Sequence, residues 1–318
     1  MSNRSTPEVL AVANLSPFFL DPLRAACTVH LRLNETDPAA FAQAAKNIVA
    51  IAASGESKVG ADLMDQLPAL KIISVMGVGY DGIDVAAAKA RGVQVTHTPG
   101  VLNDDVADLA IALMLALSRQ IALSDRFVRA GKWTAGPLAL GRKVSGARLG
   151  IVGMGRIGQA IAHRAAAFDM HIAYTARSAK PGLPYAFHPT PAELAANSDF
   201  LVVITPGGAG TRKLIDADVM RALGPQGSII NVARGSVIDE VALIEALRNG
   251  VIAGAALDVF EAEPNVPQAL REMDNVVLTP HIGSATSQTR RAMAELAFAN
   301  LNAQLTGQPL PTPVPECQ

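Results

Sequence analysis

Short β-branched, apolar runs recur through the first hundred positions, at Val9–Ala13, Thr28–Leu33, Ile48–Ala53, Ile72–Met76 and Val93–Thr96. Stretches of helical character such as Pro38–Lys46 and Val85–Ala90 separate them. That alternation predicts parallel βα units. A long helix is expected to open at Asn103 or Asp104, where acidic residues suit its first turn, and to run towards Arg129 with Gly131 as its stop. It reads as a bridge between two domains. From Arg148 the alternation resumes, with strands expected at Leu149–Val152, Ile172–Thr175, Phe200–Ile204, Ser228–Val232, Ala255–Val259 and Val276–Leu278. Six strands suit a complete doubly wound sheet. Between Ser284 and Leu305, Ala292, Met293, Leu296, Ala297 and Leu301 lie on one helical face, which predicts a helix that returns to the first domain.

Composition narrows the class. A chain of 318 residues suits two domains better than one core. Half of it is hydrophobic, 17% is charged and the net charge is −1, so neither a nucleic-acid footprint nor a disordered tail is indicated and a small molecule is the expected partner. Cys27 and Cys317 lie near opposite ends without pairing or metal-ligand spacing, and the N-terminus carries no signal-like core. A reducing, cytoplasmic setting and no metal site are therefore expected. The longest apolar stretch, Ala107 to Leu117, is interrupted by Asp108 and falls short of the roughly 18–20 residues of a membrane span.

The chemistry begins at Gly153-Met-Gly155-Arg156-Ile157-Gly158, a G-x-G-x-x-G turn entered from an apolar strand and followed by helical sequence through Gln159–Phe168. In such a turn Gly153 allows the tight bend, Gly155 admits a pyrophosphate against bare backbone and Gly158 lets the helix approach the strand. The helix N-terminus offers its N–H groups and partial positive charge to phosphate. About twenty residues on, an NAD site carries an acidic residue for the ribose 2′-hydroxyl. This chain has Tyr174-Thr-Ala-Arg177-Ser178 there, without a carboxylate. A guanidinium and a hydroxyl suit a 2′-phosphate, so NADP is expected over NAD. The alternative is that Arg177 is a solvated loop residue that tolerates either cofactor.

Five motifs in order resemble the D-isomer-specific 2-hydroxyacid dehydrogenases, and within them the glyoxylate/hydroxypyruvate reductases. They are Gly77-Val-Gly-Tyr-Asp-Gly-Ile-Asp84, the glycine loop, Asn231-Val-Ala-Arg-Gly235, Ala256-Leu-Asp-Val-Phe-Glu-Ala-Glu-Pro264 and Thr279-Pro-His-Ile-Gly283. The resemblance spans most of the chain. It implies a Rossmann dinucleotide-binding domain (99–283) inserted into a flavodoxin-like substrate domain (1–98 and 284–318), an active site in the cleft between them, and a homodimer. It implies Arg234, Glu263 and His281 as the catalytic set, Arg234 and His281 also binding substrate. Arg156, Ile157, Thr205, Pro206, Val232, Ala233, Asp258 and Gly283 are placed along the cofactor.

The residue types suit ketone reduction, which needs hydride at carbon and a proton at oxygen. A histidine supplies the proton as general acid, and a glutamate on its other ring nitrogen orients it and stabilises the charged form. Glu261 and Glu263 compete for that place, and Glu263 is the one that matches the family. An arginine grips the carboxylate and carbonyl of a 2-keto acid together. The backbone N–H groups of Val78 and Gly79 are candidates for a carboxylate nest. Each assignment has a plainer rival: a loop histidine bonded to backbone, an arginine that caps a helix, a buried structural Asp258, a strand-ending turn at Thr205 and Pro206. Met76, Leu102 and Trp133 are candidates for shaping the substrate pocket, though Trp133 fits core or interface packing as well. The glycine-rich run at 206–210 departs from the family and is expected to loosen its loop. A catalytically silent nucleotide sensor of the same fold is the rival function.

Overall fold

In the computed structural model, which describes residues 6–318, the chain divides into two compact units: residues up to Leu102 with Thr286–Gln318, and Asn103–Ala285. The crossings lie at 102/103 and 285/286, against the 98/99 and 283/284 expected from the motifs. The first crossing coincides with the start of the helix Asn103–Ser118.

The first unit holds β1 (Glu8–Ala11), β2 (Thr28–Leu31), β3 (Ile48–Ser54), β4 (Ile72–Met76) and β5 (Gln94–Thr96) in one parallel sheet of order β2-β1-β3-β4-β5, the flavodoxin-like order. Every residue of β4 is buried, as a parallel strand covered on both faces requires. Strand β2 stops two residues before the expected Leu33 because Arg32 turns out of the extended region at φ 47°. The returning helix, Ser287–Thr306, is capped by the Thr286 hydroxyl on the Thr289 N–H and closes at Gly307, φ 71°. The buried Ser74 hydroxyl donates to the Ala297 carbonyl at 2.8 Å, which ties this helix to β4. The helix Pro17–Ala26, with Ser16 as its cap and Pro22 inside it, was not anticipated.

The second unit is a seven-stranded parallel sheet: β6 (Arg148–Val152), β7 (His171–Thr175), β8 (Ala186–Phe187), β9 (Phe200–Val203), β10 (Ser228–Asn231), β11 (Gly254–Leu257) and β12 (Val276–Leu278). Its order, β12-β11-β10-β9-β6-β7-β8, is the Rossmann order with one strand added, and its switch point lies between β6 and β9. Strands β9, β10 and β11 are buried throughout and form the middle of the core. Two-residue β8, the strand beyond the six expected from the sequence, is too short to show periodicity.

The expected long helix is two, Asn103–Ser118 and Ile121–Arg129, bent by 56°. The Ser118 hydroxyl donates back to the Met114 carbonyl (2.7 Å), Gln120 takes φ 51°, and the carbonyl of Ser118 accepts the Arg142 N–H instead of continuing the helix. No single helix among the described residues is long and apolar enough to cross a membrane.

Candidate active site

Around the switch point of the second sheet, the glycine loop leaves β6 and enters the helix Arg156–Ala166. Gly153 has φ 108°, and a Cβ there would press on the Ile204 carbonyl and the Thr205 nitrogen, so only glycine seats this turn against the end of β9. Gly155 is the helix N-cap, has open space on the side a Cβ would occupy, and offers no side-chain cap. The first-turn N–H groups of Arg156 and Ile157 are thus left to an outside acceptor, and a pyrophosphate fits that cradle. At Gly158 a Cβ would overlap the Gly153 carbonyl oxygen.

Beyond β7, the Thr175 carbonyl accepts the Gly153 N–H (2.9 Å), and Arg177 and Ser178 stand exposed in the loop that follows. Thr205 and Pro206 follow β9. Their glycine-rich loop is held by the Thr211 hydroxyl, which donates to the Pro206 carbonyl at 2.7 Å, so its backbone is tied where looseness was expected. Val232 and Ala233 are buried directly after β10.

The next residue, Arg234, sits on a turn stapled by Asn231, whose side chain accepts the Ala233 N–H (3.0 Å) and donates to the Arg234 carbonyl (3.1 Å). The sequence motif gives Asn231 no role of its own. The structure gives it this one. At Gly235 a Cβ would overlap the backbone of Phe260 and Glu261, so the turn carrying Arg234 and the loop carrying Glu263 pack backbone to backbone.

Glu263 is held at both oxygens. Oε1 accepts the Phe260 N–H at 2.8 Å, and Oε2 lies 2.7 Å from Nδ1 of His281. Burial pushes the carboxyl up, but the bonds from His281 and Phe260 and the positive charges of His281 and Arg234 outweigh it and hold Glu263 below its ordinary value. Glu261, the competing residue, pairs instead with Arg212 at 2.7 Å. His281 itself has φ 52°, an uncommon conformation outside glycine in which histidine is over-represented. Its backbone N–H donates to the Asp258 carbonyl at 2.9 Å.

Asp258 is 1% exposed and takes three donors, all from the segment around His281: the Thr279 hydroxyl (2.6 Å), the Ile282 N–H (2.8 Å) and the Gly283 N–H (2.8 Å). A buried carboxylate that replaces water with three hydrogen bonds fixes the loop on which the histidine stands. In the first unit, Val78 and Gly79 follow β4, and the Val78 carbonyl lies 3.0 Å from Nδ1 of His97. Among the described residues their own N–H groups have no hydrogen-bond acceptor. Met76 and Leu102 are buried, whereas Trp133 is 69% exposed and belongs to no core.

The catalytic and cofactor-binding candidates of the second unit all lie past the carboxyl end of a strand of one sheet, which is where doubly wound sheets bind ligands. Residues 111–283 match the family described as D-isomer specific 2-hydroxyacid dehydrogenase, NAD binding domain. The chain belongs to this family. It is 51% identical over 262 residues to a glyoxylate/hydroxypyruvate reductase of Arabidopsis thaliana, covering 82% of this chain and 84% of that protein. It is 48% identical over 270 residues to a hydroxyphenylpyruvate reductase of Plectranthus scutellarioides, covering 85% and 86%. The structure of an NADPH-dependent glyoxylate/hydroxypyruvate reductase from Sinorhizobium meliloti, in complex with NADP and malonate, superimposes with a TM-score of 0.92 at 43% identity over 98% of each chain. The protein is thus an NAD(P)-dependent oxidoreductase with a Rossmann domain.

Proposed function

We propose that this dehydrogenase reduces a small 2-keto acid of the glyoxylate or hydroxypyruvate kind to its D-2-hydroxy acid, with NADPH preferred to NADH. The observation that carries the reading is the His281–Glu263 pair, whose carboxylate is fixed by a second bond from Phe260, at the same end of the sheet as the glycine loop. Bound in that loop, NADPH supplies the hydride. The chain's own residues do the rest. His281 gives its Nε2 proton to the carbonyl oxygen as it becomes a hydroxyl, and takes a proton back in the reverse direction. Glu263 fixes the ring through Nδ1 and stabilises the charged imidazolium before transfer. Arg234 holds the substrate's carboxylate and polarises its carbonyl, and the N–H groups of Val78 and Gly79 are assigned to the carboxylate.

The cofactor preference is supported by Arg177 and Ser178, which stand where an NAD site carries its acidic residue, and by the NADPH-dependent relative. A small substrate is supported by the reductases of glyoxylate and hydroxypyruvate among the relatives. Nothing in the site favours a silent sensor. A homodimer is supported by Ile121, Val128, Trp133 and Leu140, large apolar side chains exposed along one segment of the second unit.

The test follows the absorbance of reduced nicotinamide, with NADPH and NADH offered separately against glyoxylate, hydroxypyruvate, pyruvate and phenylpyruvate. The highest kcat/KM is expected for NADPH with glyoxylate or hydroxypyruvate. A preference for NADH overturns the cofactor assignment, and preference for the aromatic acid overturns the substrate class.

A further inference from the structure

The loop that carries Arg177 and Ser178 is anchored at both ends. At its entrance, the Thr175 carbonyl accepts the Gly153 N–H at 2.9 Å, which ties the end of β7 to the glycine loop. At its exit, the hydroxyl of Tyr174 accepts the N–H of Lys180 at 2.6 Å. Between the two ties, Arg177 and Ser178 are exposed and the chain forms neither helix nor strand.

Tyr174 is 1% exposed, packs its ring against Phe187 with centroids 5.5 Å apart, and its own carbonyl accepts the His188 N–H at 2.9 Å. A phenylalanine would fill the same space against Phe187. What the hydroxyl adds is the acceptor for Lys180. The β7 ladder, the ring packing and the Gly153–Thr175 bond do not use the hydroxyl, so its loss loosens the 176–180 segment, Arg177 and Ser178 included, from its exit end.

We propose that Tyr174 is a positioning residue for cofactor choice: its buried hydroxyl, by holding the Lys180 N–H, sets the loop in which Arg177 and Ser178 meet the 2′-phosphate of the cofactor's adenosine ribose. The proposal rests on the NADPH reading above and deepens it. Because the entrance tie joins this loop to the glycine turn, the hydroxyl sets the spacing between the pyrophosphate cradle and the guanidinium. Its loss weakens ligands that carry the 2′-phosphate and spares those that lack it.

The probes are 2′,5′-ADP and 5′-AMP, which differ only in the 2′-phosphate, titrated calorimetrically into wild-type protein, Tyr174→Phe and Arg177→Ala. Tyr174→Phe is expected to bind 2′,5′-ADP about three- to tenfold more weakly, the loss of one ordinary hydrogen bond, with 5′-AMP unchanged. The KM for NADPH rises to match while kcat at saturation stays. If wild-type protein holds the two nucleotides equally, the NADPH reading fails and the proposal with it. If Arg177→Ala erases the 2′-phosphate advantage but Tyr174→Phe retains it in full, the reading stands and the role of Tyr174 is overturned. Equal weakening of both nucleotides also overturns it, since that marks a general loss of structure. Lys180→Pro, compared with Lys180→Ala, removes the donor at an exposed position and should reproduce the selective loss without altering the core.

Discussion

Glu263 and His281 form a pair whose acidic member is fixed before it meets the ring. One carboxylate oxygen takes the Phe260 N–H at 2.8 Å and the other lies 2.7 Å from Nδ1 of His281, so neither oxygen is free to swing away. Glu263→Gln keeps the size and a hydrogen-bonding group but removes the charge that favours imidazolium. The kcat for keto-acid reduction is expected to fall by about ten- to a hundredfold, part of the roughly 10²–10⁴-fold that a positioned general acid supplies. The pH above which kcat/KM declines should also move down. A profile that keeps its shape and height contradicts the coupling.

The same pair makes stability depend on pH with a definite sign. Burial raises the Glu263 carboxyl, but the His281 and Phe260 bonds and the neighbouring charges leave it below its ordinary value of 4.5 in the folded chain. The unfolded chain then binds the extra proton first, so this contribution is fully present above that ordinary value and is lost as pH falls through the lower folded one. Thermal midpoints of wild type and Glu263→Gln, measured from neutral pH downwards, should differ at pH 7, begin to approach each other below 4.5 and meet only once pH has passed the lower folded value. A gap that widens with acid reverses the sign.

Asp258 takes three donors from the segment bearing His281, and Asn cannot satisfy them, since its amide nitrogen would face an N–H or O–H donor. Asp258→Asn is expected to cost about 1–3 kcal/mol of stability, the penalty for leaving a buried donor unpaired. It should lower kcat as well, because the histidine's backbone at φ 52° depends on that clamp. Chemical denaturation and steady-state kinetics on the same preparation check both.

Gly235 lies against the backbone of Phe260 and Glu261, the loop that leads to Glu263. Gly235→Ala forces the two loops apart and is expected to destabilise the fold by about 1–3 kcal/mol, the usual cost of overpacking. The displaced loop should cost kcat in addition. A variant with wild-type Tm and activity contradicts the close approach.

The sheets were legible because parallel strands covered on both faces read as apolar runs, as β4 and β9 do. The glycine loop was legible because each glycine answers a local steric demand. What escaped depends on partners far along the chain. The break after Ser118 is made by Arg142, whose N–H captures the carbonyl that would have continued the helix. The choice between Glu261 and Glu263, left to family likeness in the sequence, shows only in the fold, where Glu263 bonds the Phe260 N–H and His281 while Glu261 pairs with Arg212. Tyr174 looked like strand core, and only the position of Lys180 gives its hydroxyl a task. Asn231 ends one apolar strand and Asp258 directly follows another, and a buried polar residue there signals a fixed hydrogen-bond duty without saying which loop it serves.

The reaction proposed here depends above all on His281 as the proton donor. Its most direct test is single-turnover reduction of glyoxylate and hydroxypyruvate by enzyme preloaded with NADPH, comparing wild type with His281→Ala and measuring NADPH affinity in parallel by fluorescence. The single-turnover rate is expected to be lower by about 10²–10⁴-fold in the variant, with cofactor affinity unchanged. A variant that turns over within about threefold of wild type would contradict that role, because a positioned general acid is worth far more than that.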